Sequence, residues 1–302
     1  MKTTHTGVLL AAGTYLIWGL LPAFWKLLAH VPAVEVLCHR ILWSFLLLLA
    51  VTLLVGSFGS VVSGFKDPRV LAAYLAAGVT IGINWLIYIW AVGAGFILET
   101  SLGYFINPLL SVLLGVIVLR ERLRPGQWTA IALAGAGVVY LTFAYGSLPW
   151  IALGLAAAFS VYGLIKKIAP LGSLSGLTLE TAALLAPACL YLLHLQNTGE
   201  AAFPGAGLLT GACLAGTGIV TVVPLLLFSS AARRIDLSLL GILQYIAPSI
   251  SFVLGVFVYR EPFTRSTLIG FCIVWVALII YTVDGLLSRK GRPSAGAGGI
   301  SA

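Results

Sequence analysis

The sequence predicts an all-α integral membrane protein in which ten transmembrane helices form two five-helix halves of opposite orientation. Three observations lead there. Hydrophobic residues make up 60% of the 302 residues and charged residues only 9%, whereas soluble domains carry about a quarter charged residues. The charges cluster in short segments between long apolar runs, and mean hydropathy is +1.08, so water is not the main solvent. The third observation is an internal duplication, carried by residues 99–124, ETSLGYFINPLLSVLLGVIVLRERLR.

Between Glu99 and Arg120 lie twenty residues without an acid or base. As a helix this run is roughly 30 Å long, the hydrocarbon thickness of a bilayer. A shift of 140 positions carries Ile106, Pro108, Ser111, Leu114, Gly115, Val116, Val118, Arg120 and Glu121 onto Ile246, Pro248, Ser251, Leu254, Gly255, Val256, Val258, Arg260 and Glu261. Leu, Val and Gly can coincide by composition, but a matched Pro, Ser and Arg-Glu pair in one register marks a repeat.

Apolar segments fall at 7–29, 36–56, 70–92, 98–119, 127–145, 149–168, 175–194, 206–231, 237–259 and 266–286. The first is too long for the apolar core of a cleaved signal peptide and is read as a retained span. The Gly/Ser/Ala-rich tail, 288–302, has nothing to bury and is expected to be disordered and cytoplasmic. An N-terminus inside the cell puts Lys2, Lys66, Arg69, Arg120, Arg122, Arg124, Lys166, Lys167, Arg233, Arg234, Arg289, Lys290 and Arg292 on the cytoplasmic side. Only Lys26, Arg40, Arg260 and Arg265 remain at the other face. Both termini are then cytoplasmic. Because each half (1–145 and 146–287) holds an odd number of spans, the second enters the membrane inverted relative to the first. Inverted halves meeting around a mid-membrane site are a transporter architecture.

The net charge of +8 does not point to nucleic acid, since the bases lie in short loops without a long basic face. Cys38, Cys189, Cys213 and Cys272 lie in apolar runs without metal-ligand or CxxC spacing. No cofactor or metal is expected. Phosphate-loop, metalloprotease and nucleophile-elbow motifs are missing from the sequence, which leaves a secondary mechanism.

The candidate functional residues are polar groups within spans. Pro108 and Pro248 each remove a backbone donor in mid-helix and free the carbonyls of Tyr104 and Gln244, with Asn107 and Tyr245 beside them. These segments are either tolerated kinks or the lining of a substrate cavity. Gly103, Asn107, Ser111 and Gly115 recur every four residues, as small residues do at Gly78/Gly82 and Gly154/Ala158, a pattern of close helix packing. Arg40 lies a little inside the second span, and the repeat shift carries it onto Glu180 in the seventh. Ionisable groups within spans face protein or a water-filled cavity. Arg40 is assigned to the interface or to an anionic substrate group, and Glu180 to proton coupling, because burial disfavours its charged form and readies it for proton exchange. Trp18 and Trp85 lie deep in their runs, as core packing or as aromatic walls; Asn84 neighbours Trp85.

Read together, YLIWGLLPAFWK at 15–26, HRILWSF at 39–45, NWLIYIWAV at 84–92, ETSLGYFINPL at 99–109 and QYIAP at 244–248 resemble the RarD family of EamA-type proteins, within the drug/metabolite transporter superfamily. The resemblance covers nearly the whole chain. It implies ten helices from two EamA repeats, a place in the bacterial inner membrane, and permease activity toward small metabolites or drugs such as chloramphenicol. Small multidrug relatives exchange protons through a glutamate in their first helix. Here the first span has no acid, so that role cannot be carried over. The sequence therefore leads to an exporting transporter with a small-molecule substrate, a lipid bilayer around it and protons as the candidate coupling ion. A non-transporting sensor or assembly subunit on the same scaffold is the alternative, and a membrane-embedded enzyme a remote third.

Overall fold

A computed structural model describes residues 2–93, 97–145, 150–203, 205, 207–258 and 265–290. Helices α1 to α12 span Lys2–Lys26, Ala33–Leu54, Phe58–Lys66, Pro68–Gly93, Ile97–Ile117, Pro125–Tyr145, Trp150–Ile168, Ser173–Thr198, Leu208–Ala232, Leu237–Leu243, Ile246–Val253 and Arg265–Lys290. A π-helical turn, Leu254–Val258, extends α11. The described residues contain no strand. Among the described residues seven helices are long and apolar enough to cross a membrane: α1, α2, α4, α6, α7, α8 and α9. Three shorter apolar stretches, Gly103–Ile117, Leu237–Ile250 and Leu268–Asp284, lie where the sequence predicts the fourth, ninth and tenth spans. Arg260, Glu261 and residues 291–302 of the tail lie outside the described residues.

Helix ends follow local chemistry. The Asp67 carboxylate accepts the N–H groups of Arg69 and Val70 at 2.9 and 3.3 Å, and Pro68 follows at the first helical position, where a missing N–H costs nothing. α4 therefore starts two residues before the expected 70. α3 is an element the sequence reading leaves as loop. Its Val61 is buried, and the Gly64 backbone approaches Leu171 and Leu179, so a short amphipathic helix is held by tertiary packing where propensity alone would not hold it.

Contacts divide the chain into two compact units, one built from α1–α5 and α7–α11 with the π turn, the other from α6 and α12. In the larger unit α5 packs on α7 and α10, α2 on α8 and α9, α1 on α9 and α11, and α4 on α7 and α8. Its central core includes Tyr15, Leu48, Ile81, Tyr162, Leu225 and Phe228. Close backbone approach is required at glycines such as Gly78 and Gly241: a Cβ on Gly78 would lie 2.8 Å from the Glu180 carbonyl, and one on Gly241 would lie 2.8 Å from the Pro108 carbonyl. In the smaller unit α6 packs along α12, with Gly137 against Ile273 and Gly270 against Leu141. There Arg124 pairs with Asp284 at 2.8 Å.

The two proline segments differ. Pro108 lies inside the uninterrupted α5. Pro248 is the third residue of α11, and the helical run is interrupted before it, at Gln244–Tyr245. The Gln244 carbonyl, expected to be freed, accepts the Ala247 N–H at 3.1 Å. A proline in the first turn of a helix displaces no intrahelical bond, so the break precedes Pro248, with Pro248 in the first turn of the new helix.

Candidate functional site

Arg40 stands about two turns into α2, roughly 10 Å along the helix from its start. Its Nε donates to the Thr221 hydroxyl of α9 at 2.7 Å. Its guanidinium carbon lies 4.0 Å from the centre of the Trp85 ring and 5.4 Å from that of Trp25. The Tyr88 and Tyr104 phenols lie nearby. These two rings meet edge to face at 6.3 Å, with their hydroxyls close together. Tyr104 keeps 45% of its surface accessible. Among the described residues no carboxylate pairs with Arg40. A fixed cation with aromatic walls, stabilised by π faces and a neutral hydroxyl, is an arrangement that recognises an anionic or strongly polar solute. Arg40, Ser44, Trp85, Glu180 and Thr221 line one narrow cavity.

Glu180, 2% exposed on α8, accepts from Lys166 Nζ of α7 at 2.7 Å. The ammonium also lies 5.5 Å from the Tyr74 ring centre and 5.7 Å from that of Tyr162. The Tyr162 hydroxyl is close to the carboxylate but off hydrogen-bond geometry. The sequence reading places Lys166 on the cytoplasmic side, near the end of the span 149–168; its side chain is 1% exposed, turned into the bundle from the last turn of α7, which ends at Ile168. The partner of Glu180 is thus Lys166, fourteen residues earlier, and not its repeat counterpart Arg40.

A third cluster lies where α5, α7 and α10 meet. Asn107 is 4% exposed, and the Ser160 hydroxyl donates to its side-chain oxygen at 2.7 Å. Ser111 donates to the Ser160 hydroxyl at 3.2 Å. The Tyr245 hydroxyl donates to the Phe105 carbonyl at 3.0 Å, and Tyr15 donates to the Leu240 carbonyl at 3.1 Å. Gln244 is 5% exposed. The end of this cluster is held by Glu121. Its carboxylate accepts the Leu237 N–H at 2.7 Å, the Ser238 N–H at 2.9 Å and the Ser238 hydroxyl at 2.5 Å. That carboxylate caps the N-terminus of α10, where orphan donors and the helix dipole favour an anion.

The predicted residues therefore divide by environment. Arg40 and Trp85 line one cavity, and Tyr104 stands near the guanidinium but outside that lining. Asn107, Gln244 and Tyr245 lie buried beside the break. Asn84 donates to the Leu155 carbonyl at 2.8 Å and ties α4 to α7. Trp18 contacts Tyr15, Phe159 and Phe228 at centroid separations of 5.5 to 5.7 Å, which places it in the aromatic core. The sequence reading misses Tyr88, Thr221, Lys166 and Ser160. Tyr88 had a usable signal, lying in the quoted NWLIYIWAV segment three residues after Trp85. A lone Ser or Thr in an apolar run carries none.

Comparison with known proteins settles the family. The model of the EamA-like transporter family matches residues 5–143 and again residues 148–283. The chain belongs to the EamA-like transporter family. It stands among the RarD proteins of that family: it is 44% identical to Protein RarD of Streptomyces exfoliatus over 95% of this chain and 92% of that one. It is 45% identical to the uncharacterized transporter YojE of Bacillus subtilis, over 96% of this chain and 98% of the relative. A solved structure 20% identical in sequence shares the fold with a TM-score of 0.70, covering 95% of this chain and 99% of that one. The EamA protein described here is a multi-pass bacterial membrane transporter.

Proposed function

We propose that this EamA protein is a secondary transporter that exports small metabolites or drugs, chloramphenicol among the candidates, by alternating access between two inverted five-helix halves, 1–145 and 146–287, with both termini cytoplasmic. The observation that carries the reading is Arg40: a cation held inside an apolar helix by Thr221 and Trp85 and, among the described residues, by no acid, near the accessible Tyr104 ring. Maintaining an unneutralised charge there is expensive unless a solute completes it. Trp85, Tyr88 and Tyr104 form the solute wall. Asn107, Gln244 and Tyr245, with Pro108 and Pro248, form the adjoining segment that shifts during the cycle. In this topology the Glu121 cap on α10 closes the cytoplasmic end and releases when the transporter faces inward.

Proton coupling is assigned to the Glu180–Lys166 pair, since proton uptake by Glu180 removes the charge that holds Lys166. Counterflow in proteoliposomes tests the transport reading. Labelled solute, chosen by comparing metabolites exported from cells with and without the protein, should exchange across the bilayer; binding without exchange would leave a receptor. Glu180→Gln should abolish pH-driven accumulation while solute exchange continues. An unaltered pH dependence would make the pair purely structural.

A further inference from the structure

α2 carries a second polar stripe, turned away from Arg40. Glu35, His39 and Trp43 are spaced four residues apart and share one helix face, while Arg40 is rotated from His39 by about 100°. Glu35 is fully buried. Its Oε1 accepts the backbone N–H of Ala202 at 2.7 Å and of Phe203 at 3.3 Å, with His39 Nε2 at 3.8 Å. Three atoms of this stripe are buried without a hydrogen-bond partner: Glu35 Oε2, His39 Nδ1 and Trp43 Nε1. Folded proteins leave only a few such groups per hundred residues, so three on one face call for a physical explanation.

The three residues line a cavity of about 360 Å³ between α2, α8 and the segment before α9, together with Cys189, Leu192 and Phe203. That volume is at the lower end of small-molecule sites, roughly 300 to 1,000 Å³. Among the described residues no Lys or Arg lines it, and Glu35 is its one carboxylate. The His39 and Phe203 ring centres are 5.2 Å apart, those of Trp43 and Phe203 6.4 Å. A carboxylate flanked by aromatic rings selects a cation.

We propose that this cavity binds a small ammonium bearing an oxygen acceptor, the chemistry shared by free amino alcohols and ethanolamine lipid headgroups. The ammonium donates to Glu35 Oε2 and to unprotonated His39 Nδ1, and the oxygen accepts from Trp43 Nε1, so one ligand answers all three atoms. Leu42 and Leu192 cover its methylenes. Glu35 is the third residue of α2, which puts the site near a helix end, at headgroup depth. The site is separate from the Arg40 cavity and does not depend on the transport reading.

Isothermal titration of the purified full-length protein with 2-aminoethanol, and with ethylene glycol as the neutral control, tests the site. Saturable binding of the amine alone is expected, weakened at least tenfold in Glu35→Gln. Leu192→Trp fills the cavity without touching the Glu35 bonds to Ala202 and Phe203, and should weaken binding equally. It separates loss of the site from loss of the fold. Native mass spectrometry from bilayers of equal phosphatidylethanolamine and phosphatidylcholine identifies the source. Phosphatidylethanolamine retained by the wild type and lost in Leu192→Trp means a lipid headgroup; amine binding without such retention means a free solute. Equal binding of ethylene glycol, no saturable binding of either the amine or the lipid, or binding unchanged in both variants would overturn the proposal.

Discussion

Arg40 on α2 and Glu180 on α8 occupy equivalent registers, 140 residues apart, and line the same cavity, but their charges are handled in opposite ways. Glu180 is closed by a buried ammonium at 2.7 Å. Arg40 is held by a neutral hydroxyl and aromatic rings, and beside it Tyr104 remains accessible. A closed pair satisfies itself, whereas an unneutralised cation is completed from outside the fold. The contrast separates groups that hold the bundle from groups available to a solute, which residue type and depth alone do not.

The strongest attempt to break this contrast removes one partner of the closed pair. Leaving a buried charge uncompensated costs about 3–5 kcal/mol, so Lys166→Met should lower the thermal unfolding midpoint in detergent sharply. The double variant Lys166→Met with Glu180→Leu should recover most of the loss, because two apolar side chains need no desolvation. A single variant as stable as the wild type would mean that Glu180 is not held by Lys166. On the other side of the comparison, Arg40→Met removes a charge with no ionic partner among the described residues. Stability should change little, while affinity for an anionic solute should fall roughly ten- to a hundredfold, since a hydrogen bond to a charged group is worth about 1.5–3 kcal/mol. Counterflow and thermal unfolding on the same preparation separate the two effects. Destabilisation without a change in KM would return Arg40 to the structural class.

How much of this was legible beforehand follows from the physics of each signal. Apolar runs read well because the bilayer sets their length; the seven long apolar helices all overlap predicted spans. The 58–66 helix was not legible, since its Gly and Ser residues read as loop and tertiary packing of Val61 and Gly64 on residues such as Tyr74, Leu171 and Leu179 holds it. At the site, rarity made Arg40 and Glu180 visible: an ionisable group in an apolar run is conspicuous. Their partners were not. Thr221 is one of many hydroxyl residues in the spans, and Lys166 reads as one more cytoplasmic-side base at the end of its span until the direction of its side chain is fixed. Glu35 stood at a predicted loop, one residue before the span at 36, and its burial comes from α2 starting at Ala33, three residues earlier.

The mildest perturbation concerns the two prolines, which the repeat makes equivalent and the fold does not. Pro108 interrupts the bonding of an otherwise continuous α5, and its carbonyl lies against Gly241 of α10. Pro248 stands in the first turn of α11, after a break already satisfied by the Ala247 N–H to Gln244 bond. Pro248→Ala therefore removes only the fixed φ of a first-turn residue and should change stability by less than about 1 kcal/mol, through the greater freedom of the unfolded chain. Pro108→Ala supplies an N–H whose acceptor is the Tyr104 carbonyl, one turn back, on the residue that faces Arg40. Straightening α5 there should displace the Tyr104 ring and raise KM for the solute, whereas Pro248→Ala should leave KM near the wild-type value. The measurement is a paired counterflow assay on the two variants. Equal KM shifts would mean that the two segments act alike despite their different backbones, and the asymmetry would then be a feature of one conformation of the cycle.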